Sequence, residues 1–214
     1  MITVTCPSCG APVTFRSSFA ISMVCAYCSS LIVRRDMDVS LIGEMAALPD
    51  DMSPFQIGSE GYDGKKHFTL IGRLRLAWEN GSWNEWCMML DDGTHGWLAE
   101  AQGFFMIYYP LAVEPPPLGE RKPGEKITLD NKPFYIADIK RCVCAGSDGE
   151  LPFPAPKGRR SVSVDINGKD GLTATIDYGE NEQPAVYVGH YASFDSMRCS
   201  NLRELEGWRY ERAE

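Results

Sequence analysis

The chain has 214 residues, of which 44% are hydrophobic and 23% are charged. This composition is typical of a soluble globular protein and excludes a wholly disordered chain. The longest uncharged apolar stretch, residues 101–113, contains Pro110 and is shorter than the roughly 20 residues of a membrane-spanning helix, so we expect no membrane span. The formal net charge of −8 argues against charge-driven binding to nucleic acids.

Four of the eight cysteines form two close pairs near the N-terminus, Cys6 with Cys9 and Cys25 with Cys28. The first residues carry neither a basic segment nor an apolar run of signal-peptide length, which predicts a protein of the reducing cytoplasm. In that compartment, paired cysteines are typical of metal ligands rather than of disulfides. We therefore interpret the other cysteines as reduced thiols.

The spacing C-x2-C-x15-C-x2-C predicts a zinc ribbon over residues 1–35, with Cys6, Cys9, Cys25 and Cys28 as ligands of one Zn²⁺ ion. Two intervening residues let a tight turn aim both sulfurs at one point, about 2.3 Å away. Four thiolates leave no open coordination position, so we expect a structural site. Sulfur ligands favour zinc, with iron as the competing ion. The alternatives are coincidental cysteines or two disulfides.

The ribbon segment contains three arginines and no acidic residue, so a mildly basic ribbon could contact nucleic acid. Four thiolates, however, outweigh the charge of one Zn²⁺ ion and leave the ribbon close to neutral. A solvated scaffold or a protein-docking module is therefore the preferred interpretation, and nucleic acid is not an expected partner.

Proline, glycine and aspartate residues in the segment 36–54 predict a linker. From residue 55 onward, alternating segments separated by turn residues predict an antiparallel β domain over 55–214, either a barrel or a sandwich. The chain is thus expected to be mainly β. We expect the β domain to consist of two halves, at about 55–110 and 124–195, because five prolines at positions 110–123 force an extended connection.

The two halves share a plan that is consistent with a duplicated β unit. Asp63-Gly64-Lys65 opens the first half and Asp130-Asn131-Lys132 opens the second. In the first half, period two predicts one buried face on a strand at 67–78, formed by Phe68, Leu70, Leu74, Leu76 and Trp78. In the second half, two alternating strands place apolar residues opposite a polar set, namely Ser161, Ser163, Asp165, Thr173, Thr175 and Asp177.

Four of the five tryptophans lie between residues 78 and 97. Large amphipathic rings can bind a ligand or a partner, and packing in the core of a β domain is the alternative. The apolar run 104–109 is either a central strand covered on both faces or a docking surface. The candidate binding residues are Trp83, Glu85, Trp86, Trp97 and Glu150, of which the two glutamates could also form an acid–base pair.

The sequence identifies no catalytic residue. The cysteines and histidines outside the ribbon lack a nucleophile signature, and inert buried thiols are the expected state of those cysteines. The chain contains no glycine-rich phosphate loop, metalloprotease helix motif or dinucleotide fingerprint. These observations favour a protein that is not an enzyme.

Several segments resemble the bacterial domain of unknown function 4178. They are Gly72-Arg73-Leu74-Arg75, residues 81–86, Asp92-Gly93, Trp97-Leu98-Ala99-Glu100, Gly149-Glu150-Leu151-Pro152-Phe153 and Tyr187-Val188-Gly189. The resemblance covers roughly residues 55–195. Members of that family often carry an N-terminal zinc ribbon, and their genes tend to lie near those of polyamine-synthesis enzymes and membrane-stress proteins. The resemblance therefore implies a role in such a system, without an established catalytic residue.

We therefore expect a zinc-ribbon adaptor that binds a protein partner through its tryptophan-rich segment and residues 104–109. One alternative is a small-ligand-binding protein or an enzyme that uses a cavity of the β domain, with Glu85, Glu150 or His95 in the site. The other alternative is a ribbon that binds nucleic acid.

Overall fold

The computed structural model describes residues 1–35, 38–45, 48, 51–180 and 182–206, and β-strands dominate this described part. The one helix in those residues is a 3₁₀ turn, Asp195–Met197, so none of the described helical structure has the length and hydrophobicity to cross a membrane. The strands are β1 (Ile2–Thr5), β2 (Pro12–Phe15), β3 (Ser22–Val24), β4 (Ser30–Arg35), β5 (Asp38–Glu44), β6 (Glu60–Asp63), β7 (Lys66–Trp78), β8 (Gly81–Leu90), β9 (His95–Ala101), β10 (Phe104–Pro110), β11 (Lys126–Leu129), β12 (Lys132–Leu151), β13 (Arg160–Asn167), β14 (Leu172–Gly179) and β15 (Ala185–Ala192).

Eight strands close into a ring through continuous antiparallel pairing. Their order is β12-β13-β14-β15-β10-β9-β8-β7, and β7 pairs in turn with β12. The predicted mainly-β, antiparallel barrel is therefore confirmed. An eight-stranded barrel has an interior that side chains just fill or that holds one small ligand.

The two halves of the barrel repeat one strand plan. Each half begins with a short strand that forms a hairpin with a long one, β6 with β7 and β11 with β12, and each then adds three further strands. The turns at 63–65 and 130–132 belong to these two hairpins. The halves meet at two seams, β7 with β12 and β10 with β15. Duplication of a five-stranded unit would produce this arrangement.

The N-terminal residues form a hairpin of β1 and β2 and a sheet of β3, β4 and β5. β3 also pairs with the end of β12, where Ser22 lies opposite Leu151 and Met23 opposite Glu150. β5 lies within the segment that the sequence analysis interprets as a linker, and it pairs with β4 along its length. The ribbon-like unit is thus joined to the barrel by strand pairing as well as by the chain.

Apolar side chains form one cluster inside the ring and two outside it. The interior cluster joins residues from strands that are not neighbours and includes Ile71, Leu74, Leu76, Cys87, Trp97, Tyr108, Cys142 and Cys144. The outer cluster of the second half lies against the proline-rich connection through Leu111, Val113 and Leu118. The outer cluster of the first half packs against Phe55, Phe194 and Met197. Both sides of the sheet are therefore covered over much of the barrel.

The prediction of a single buried face on β7 is wrong, because this strand contains a β-bulge. Period two places Phe68, Leu70, Leu74 and Leu76 on a single face, but the pairing with β8 shifts between Leu70 and Gly72. Phe68 and Leu70 consequently pack in an outer cluster, whereas Leu74 and Leu76 pack in the interior. A bulge has this effect because one extra residue inverts every side chain beyond it.

Strands β13 and β14 direct their polar faces into the barrel. Their apolar residues pack outside, beneath the proline-rich connection: Val164, Ile166, Ala174 and Ile176. Residues of the opposite face therefore point inward, and that face carries Ser161, Ser163, Asp165, Thr173, Thr175 and Asp177. Successive side chains of a strand alternate between its faces, so covering the apolar side leaves the polar side to form the interior wall.

Two glycines lie opposite each other at the seam between β7 and β12, Gly72 and Gly149. A Cβ atom at Gly72 would lie 2.0 Å from the carbonyl oxygen of Glu150, and one at Gly149 would lie 2.3 Å from that of Ile71. Gly149 also has a φ of 65°, in the left-handed region that favours glycine. The seam therefore has no room for a side chain at either position.

Replacement of Gly72 by alanine is expected to lower the free energy of unfolding by about 3 kcal/mol or more, because the methyl group must push two backbone segments apart. Gly43→Ala is the control, since a Cβ atom there meets nothing within 4 Å. Urea unfolding followed by tryptophan fluorescence measures both variants. Equal stability of the two would contradict the tight seam.

Candidate functional site

The four ribbon cysteines lie on two turns, one between β1 and β2 and the other between β3 and β4. Their sulfur atoms all lie within 4.8 Å of one another. The Cys6–Cys28 and Cys9–Cys25 sulfur separations are 3.7 and 3.9 Å. A tetrahedron with metal–sulfur bonds of about 2.3 Å has edges of about 3.8 Å. The donor set therefore fits a four-coordinate metal ion with no open position.

The two turns present their sulfurs through the same backbone geometry. In each turn, the residue after the second cysteine donates its N–H to the carbonyl of the first, Gly10 at 2.9 Å and Ser29 at 2.8 Å. Gly10 and Ser29 have φ values of 78° and 57°, an unfavourable region for serine. Hydrogen bonds from the Ser30 hydroxyl and N–H lower the pKa of the Cys28 thiol to about 6. Ser30 therefore favours the thiolate, which is the form that binds a metal.

Hydrogen bonds to Glu150 connect the ribbon-like unit to the barrel. Its carboxylate is 3% exposed and accepts hydrogen bonds from the N–H groups of Arg16 and Ser17, at 2.9 and 3.1 Å, and from the Ser17 hydroxyl at 3.1 Å. These charge-assisted bonds satisfy the buried carboxylate. The same loop packs Phe19 against the interior cluster, with its ring stacked on His95 at 4.7 Å. Glu150 thus lies at the junction between the two units.

The other candidate residues of the sequence analysis divide between the two sides of the barrel wall. Trp86 packs in an outer cluster and donates its indole N–H to Glu100 at 3.1 Å. Trp97 lies in the interior cluster, and Trp83 packs against that cluster. The Trp83 indole N–H donates to Glu85 at 2.9 Å. The barrel therefore brings Trp83, Glu85 and Trp97 together in its interior and keeps Trp86 apart from them.

A cavity of about 30 Å³ lies inside the barrel. Its wall combines aromatic and aliphatic side chains with hydroxyl and carboxyl groups from seven of the ring strands. The lining residues are Leu74, Leu76, Glu85, Trp97, Tyr108, Phe153, Ser161, Ser163, Thr175, Asp177 and Tyr187. One water molecule needs roughly 10–15 Å³ of such volume, so the cavity accommodates two or three groups of that size.

Glu85 is a carboxyl group in an apolar part of this wall. Its direct neighbours on the two adjacent strands are Leu74 and Ala99. Among the residues that the structure describes, no cationic side chain lies within ion-pair distance of Glu85, and its one hydrogen bond comes from Trp83. Burial raises the pKa of Glu85 to about 7, and the negative charge of Asp177 adds to the effect.

The second carboxyl group of the cavity, Asp177, was not among the residues predicted to bind. Its Oδ2 accepts a hydrogen bond from Arg159 at 3.1 Å, whereas its Oδ1 is buried without a hydrogen-bond partner in the described residues. Asp165 lies on the same inward side, opposite Thr175, and burial raises its pKa. The available signal was the alternation of hydroxyl and carboxyl residues, but alternation does not tell which face is interior.

Trp97 places a buried hydrogen-bond donor in the cavity wall. The residue is 3% exposed, and its indole N–H makes no hydrogen bond of normal geometry within the described part of the chain, although it interacts with the Tyr187 hydroxyl. Buried polar groups are normally paired with protein or with water. Asp177 Oδ1 is therefore available to a molecule in the cavity, whereas the Trp97 donor is shared with Tyr187.

The thiols outside the ribbon have the properties of inert core residues. Burial raises the pKa of Cys142 and Cys144 to about 11 and raises that of Cys87 further. A thiol with a raised pKa is a poor nucleophile because the thiolate is the reactive form. These three side chains therefore contribute packing to the interior cluster.

A comparison with family models matches residues 56–194 to the family described as Domain of unknown function (DUF4178). The chain belongs to this family. The match spans all eight ring strands and agrees with the resemblance seen in the sequence, while the four-cysteine unit lies ahead of it. Searches of curated proteins and of solved structures gave no significant match.

The free energy of unfolding is expected to fall as the pH rises from 5.5 to 8, because the folded state holds the proton of Glu85 up to a pKa of about 7 whereas the unfolded chain releases it near 4.5. Glu85→Gln removes this contribution, which lowers the free energy of unfolding by about 2 kcal/mol between pH 5.5 and pH 8. Glu79→Gln, on an exposed turn, is the control. Urea unfolding of the three proteins at both pH values measures how much each free energy of unfolding changes with pH. Titration of the ribbon cysteines contributes equally to all three proteins and cancels in the comparison. An identical pH dependence in Glu85→Gln and the unmodified protein would contradict the buried, uncompensated carboxyl.

Proposed function

We propose that this protein binds a small polar molecule in the cavity of its barrel. The proposal depends on polar side chains of the cavity wall that lack ion-pair or hydrogen-bond partners. Glu85 faces no cation within ion-pair distance, and Asp177 Oδ1 lacks a hydrogen-bond partner among the described residues. A buried, unpaired polar group costs about 1–3 kcal/mol, so a wall that served stability alone would be expected to be apolar.

The orientation of β13 and β14 supports the same proposal. Their apolar faces are covered from outside by the proline-rich connection, so serine, threonine and aspartate residues line the interior. Ligand sites typically combine an apolar and aromatic wall with a few converging polar groups. Here the aromatic part is supplied by Trp97, Tyr108 and Tyr187. A binding protein is the simplest role for this wall, because the thiols and Glu150 are engaged in packing and in the ribbon junction.

For the ribbon, we propose one structural Zn²⁺ ion held by Cys6, Cys9, Cys25 and Cys28. Soft sulfur ligands in a closed tetrahedral set favour zinc. By holding the two turns together, the ion would keep the Phe19 loop in place against the barrel and Glu150 in contact with its backbone donors. The ribbon then serves as a cover for one part of the interior cluster.

The adaptor function expected from the sequence stays a prediction, and so do nucleic-acid binding, the cytoplasmic location and the link to polyamine or membrane-stress systems. The residues 104–109 belong to β10, which pairs with β9 on one side and β15 on the other. Phe104 and Tyr191, on these paired strands, are 69% and 57% exposed. They are the aromatic side chains through which a partner protein would be tested.

The binding function is tested with a mixture of cationic, neutral and anionic fragments of up to three heavy atoms, using ligand-observed NMR on the full chain. At least one fragment is expected to bind the unmodified protein. Binding should persist in Ser40→Leu, on an exposed strand, and be lost in Ser163→Leu, which fills the cavity. Thr175→Val, which removes a hydroxyl group of the wall at nearly unchanged side-chain volume, is a second variant if Ser163→Leu does not fold, and it should weaken binding. Absence of binding by every fragment, or full binding in both variants of the wall, would refute the proposal.

The metal is tested by elemental analysis of the purified chain. One equivalent of zinc is expected in the unmodified protein and in Cys199→Ser, and none in the double variant Cys6→Ser, Cys28→Ser. The double variant should also melt at a lower temperature, because the Phe19 loop and the partners of Glu150 are no longer held. Metal-free protein with an ordered ribbon would show that the assignment is wrong.

A further inference from the structure

The wall of the cavity also indicates the chemical class of its ligand. We propose that the ligand is a small organic cation whose ammonium group lies between the Glu85 carboxylate and Asp177 Oδ1, against the aromatic rings of the interior. This inference rests on the proposed binding function and adds to it the charge and the size of the bound molecule.

The first argument is the balance of charge around the cavity. Glu85, Asp165 and Asp177 bring three carboxyl groups to the interior side of the barrel. The guanidinium of Arg159 faces them, but it is also bound to Glu182 at 2.6 Å. Lys140, the other cation that acts on Asp165, is paired with Asp138. The positive charges are thus already shared with acids at the rim, so the carboxyl groups of the interior outnumber the cations available to them, and a bound cation would favour their ionised forms.

The second argument is the hydrogen-bonding geometry. An alkylammonium group has three N–H donors and needs acceptors on several sides. The cavity offers the Glu85 carboxylate, the unpaired Asp177 Oδ1 and the hydroxyl of Ser163, which lies directly opposite Asp177 on the neighbouring strand. The Trp97 N–H, which lies beside the Tyr187 hydroxyl, adds a donor for a water molecule or for an oxygen atom of the ligand.

The third argument is the aromatic content of the wall. Trp97, Tyr108, Phe153 and Tyr187 present rings to the cavity, and a cation over such a ring is attracted by its negative face. Phe153 already has a cation on it, since the Arg159 guanidinium lies 5.0 Å from the centre of its ring. A hydrated divalent metal is a poor match for this wall, because Mg²⁺ and Ca²⁺ require six or more oxygen ligands.

The fourth argument is size. At about 30 Å³, the cavity holds two or three water-sized groups. A primary ammonium group with a short alkyl chain fits this volume, whereas a quaternary ammonium or a fused ring does not. The ligand class is therefore a primary alkylammonium ion, or the ammonium end of a longer chain that leaves the cavity.

Binding of a cation should depend on the ionisation of Glu85, whose pKa is raised to about 7. Charged and titratable groups face Glu85 from its own strand and from the elements packed around it, and these are Cys87, Tyr108, Cys142, Arg159, Asp165, Asp177 and Tyr187. The tyrosine and cysteine groups have raised pKa values and stay neutral near pH 7. Affinity for an ammonium ion is therefore expected to be about tenfold higher at pH 8 than at pH 6.

The test compares three probes of equal size, namely ethylammonium, ethanol and formate, each with three non-hydrogen atoms. Each is titrated into the full chain while the indole N–H signal of Trp97 is followed by NMR and assigned with Trp97→Phe. We expect saturable shifts with ethylammonium, with a dissociation constant in the millimolar range that is suited to a three-atom probe. Affinity should fall at least tenfold in Glu85→Gln and Asp177→Asn and be unchanged in Glu79→Gln, and the pH dependence should be absent in Glu85→Gln.

The outcomes separate this inference from the proposed function. Saturable binding of ethanol or formate without binding of ethylammonium would overturn the cation and leave a ligand-binding cavity. Equal affinity for ethylammonium in the unmodified protein and in Glu85→Gln would also overturn it. No shift with any of the three probes would refute the cation, and the broader fragment experiment would then decide whether the binding function fails as well.

Discussion

The twenty-residue strand β12 is the element on which the rest of this structure depends. It pairs with β11, β13, β7 and β3, so it belongs to one of the two seams between the halves and to the ribbon junction. Its contact with β7 brings Gly72 and Gly149 so close that no Cβ atom fits between the strands. The next residue, Glu150, binds the backbone of the ribbon loop. Closure of the barrel and attachment of the ribbon are thus produced by consecutive residues.

Closure of the ring decides the polarity of the interior. The proline-rich connection and the C-terminal segment cover apolar residues on the outside of the sheet, through Leu111 and Val113 in one case and Phe194 and Met197 in the other. With apolar surface buried on that side, the inward face of β13 and β14 is free to be polar. The hydrophobic stabilisation and the polar cavity are therefore located on opposite faces of the same strands.

The ribbon and the cavity are connected through the interior cluster. Phe19 reaches that cluster from the loop between β2 and β3, and Phe153 packs against it while also lining the cavity. Ser22 donates its hydroxyl to the carbonyl oxygen of Phe153 at 2.7 Å, which ties the position of this ring to β3. The four-cysteine unit is therefore in direct contact with the wall of the proposed binding site.

The sequence by itself determined the set of four cysteines that could hold a metal ion, the strand-rich character of the chain, the antiparallel connectivity at its tight turns and the family. These features depend on local spacing: two residues between paired cysteines, period two within strands, and turn residues between them. Only the tertiary structure decided which face of each strand is interior. A period of two shows that the two faces of a strand differ but does not tell which face is interior. The bulge between Leu70 and Gly72 also exchanges the inward and outward faces within β7. Glu85 and Asp177 are distant in the chain and meet because the ring closes, so the carboxyl pair of the cavity is a product of long-range pairing that no local pattern encodes.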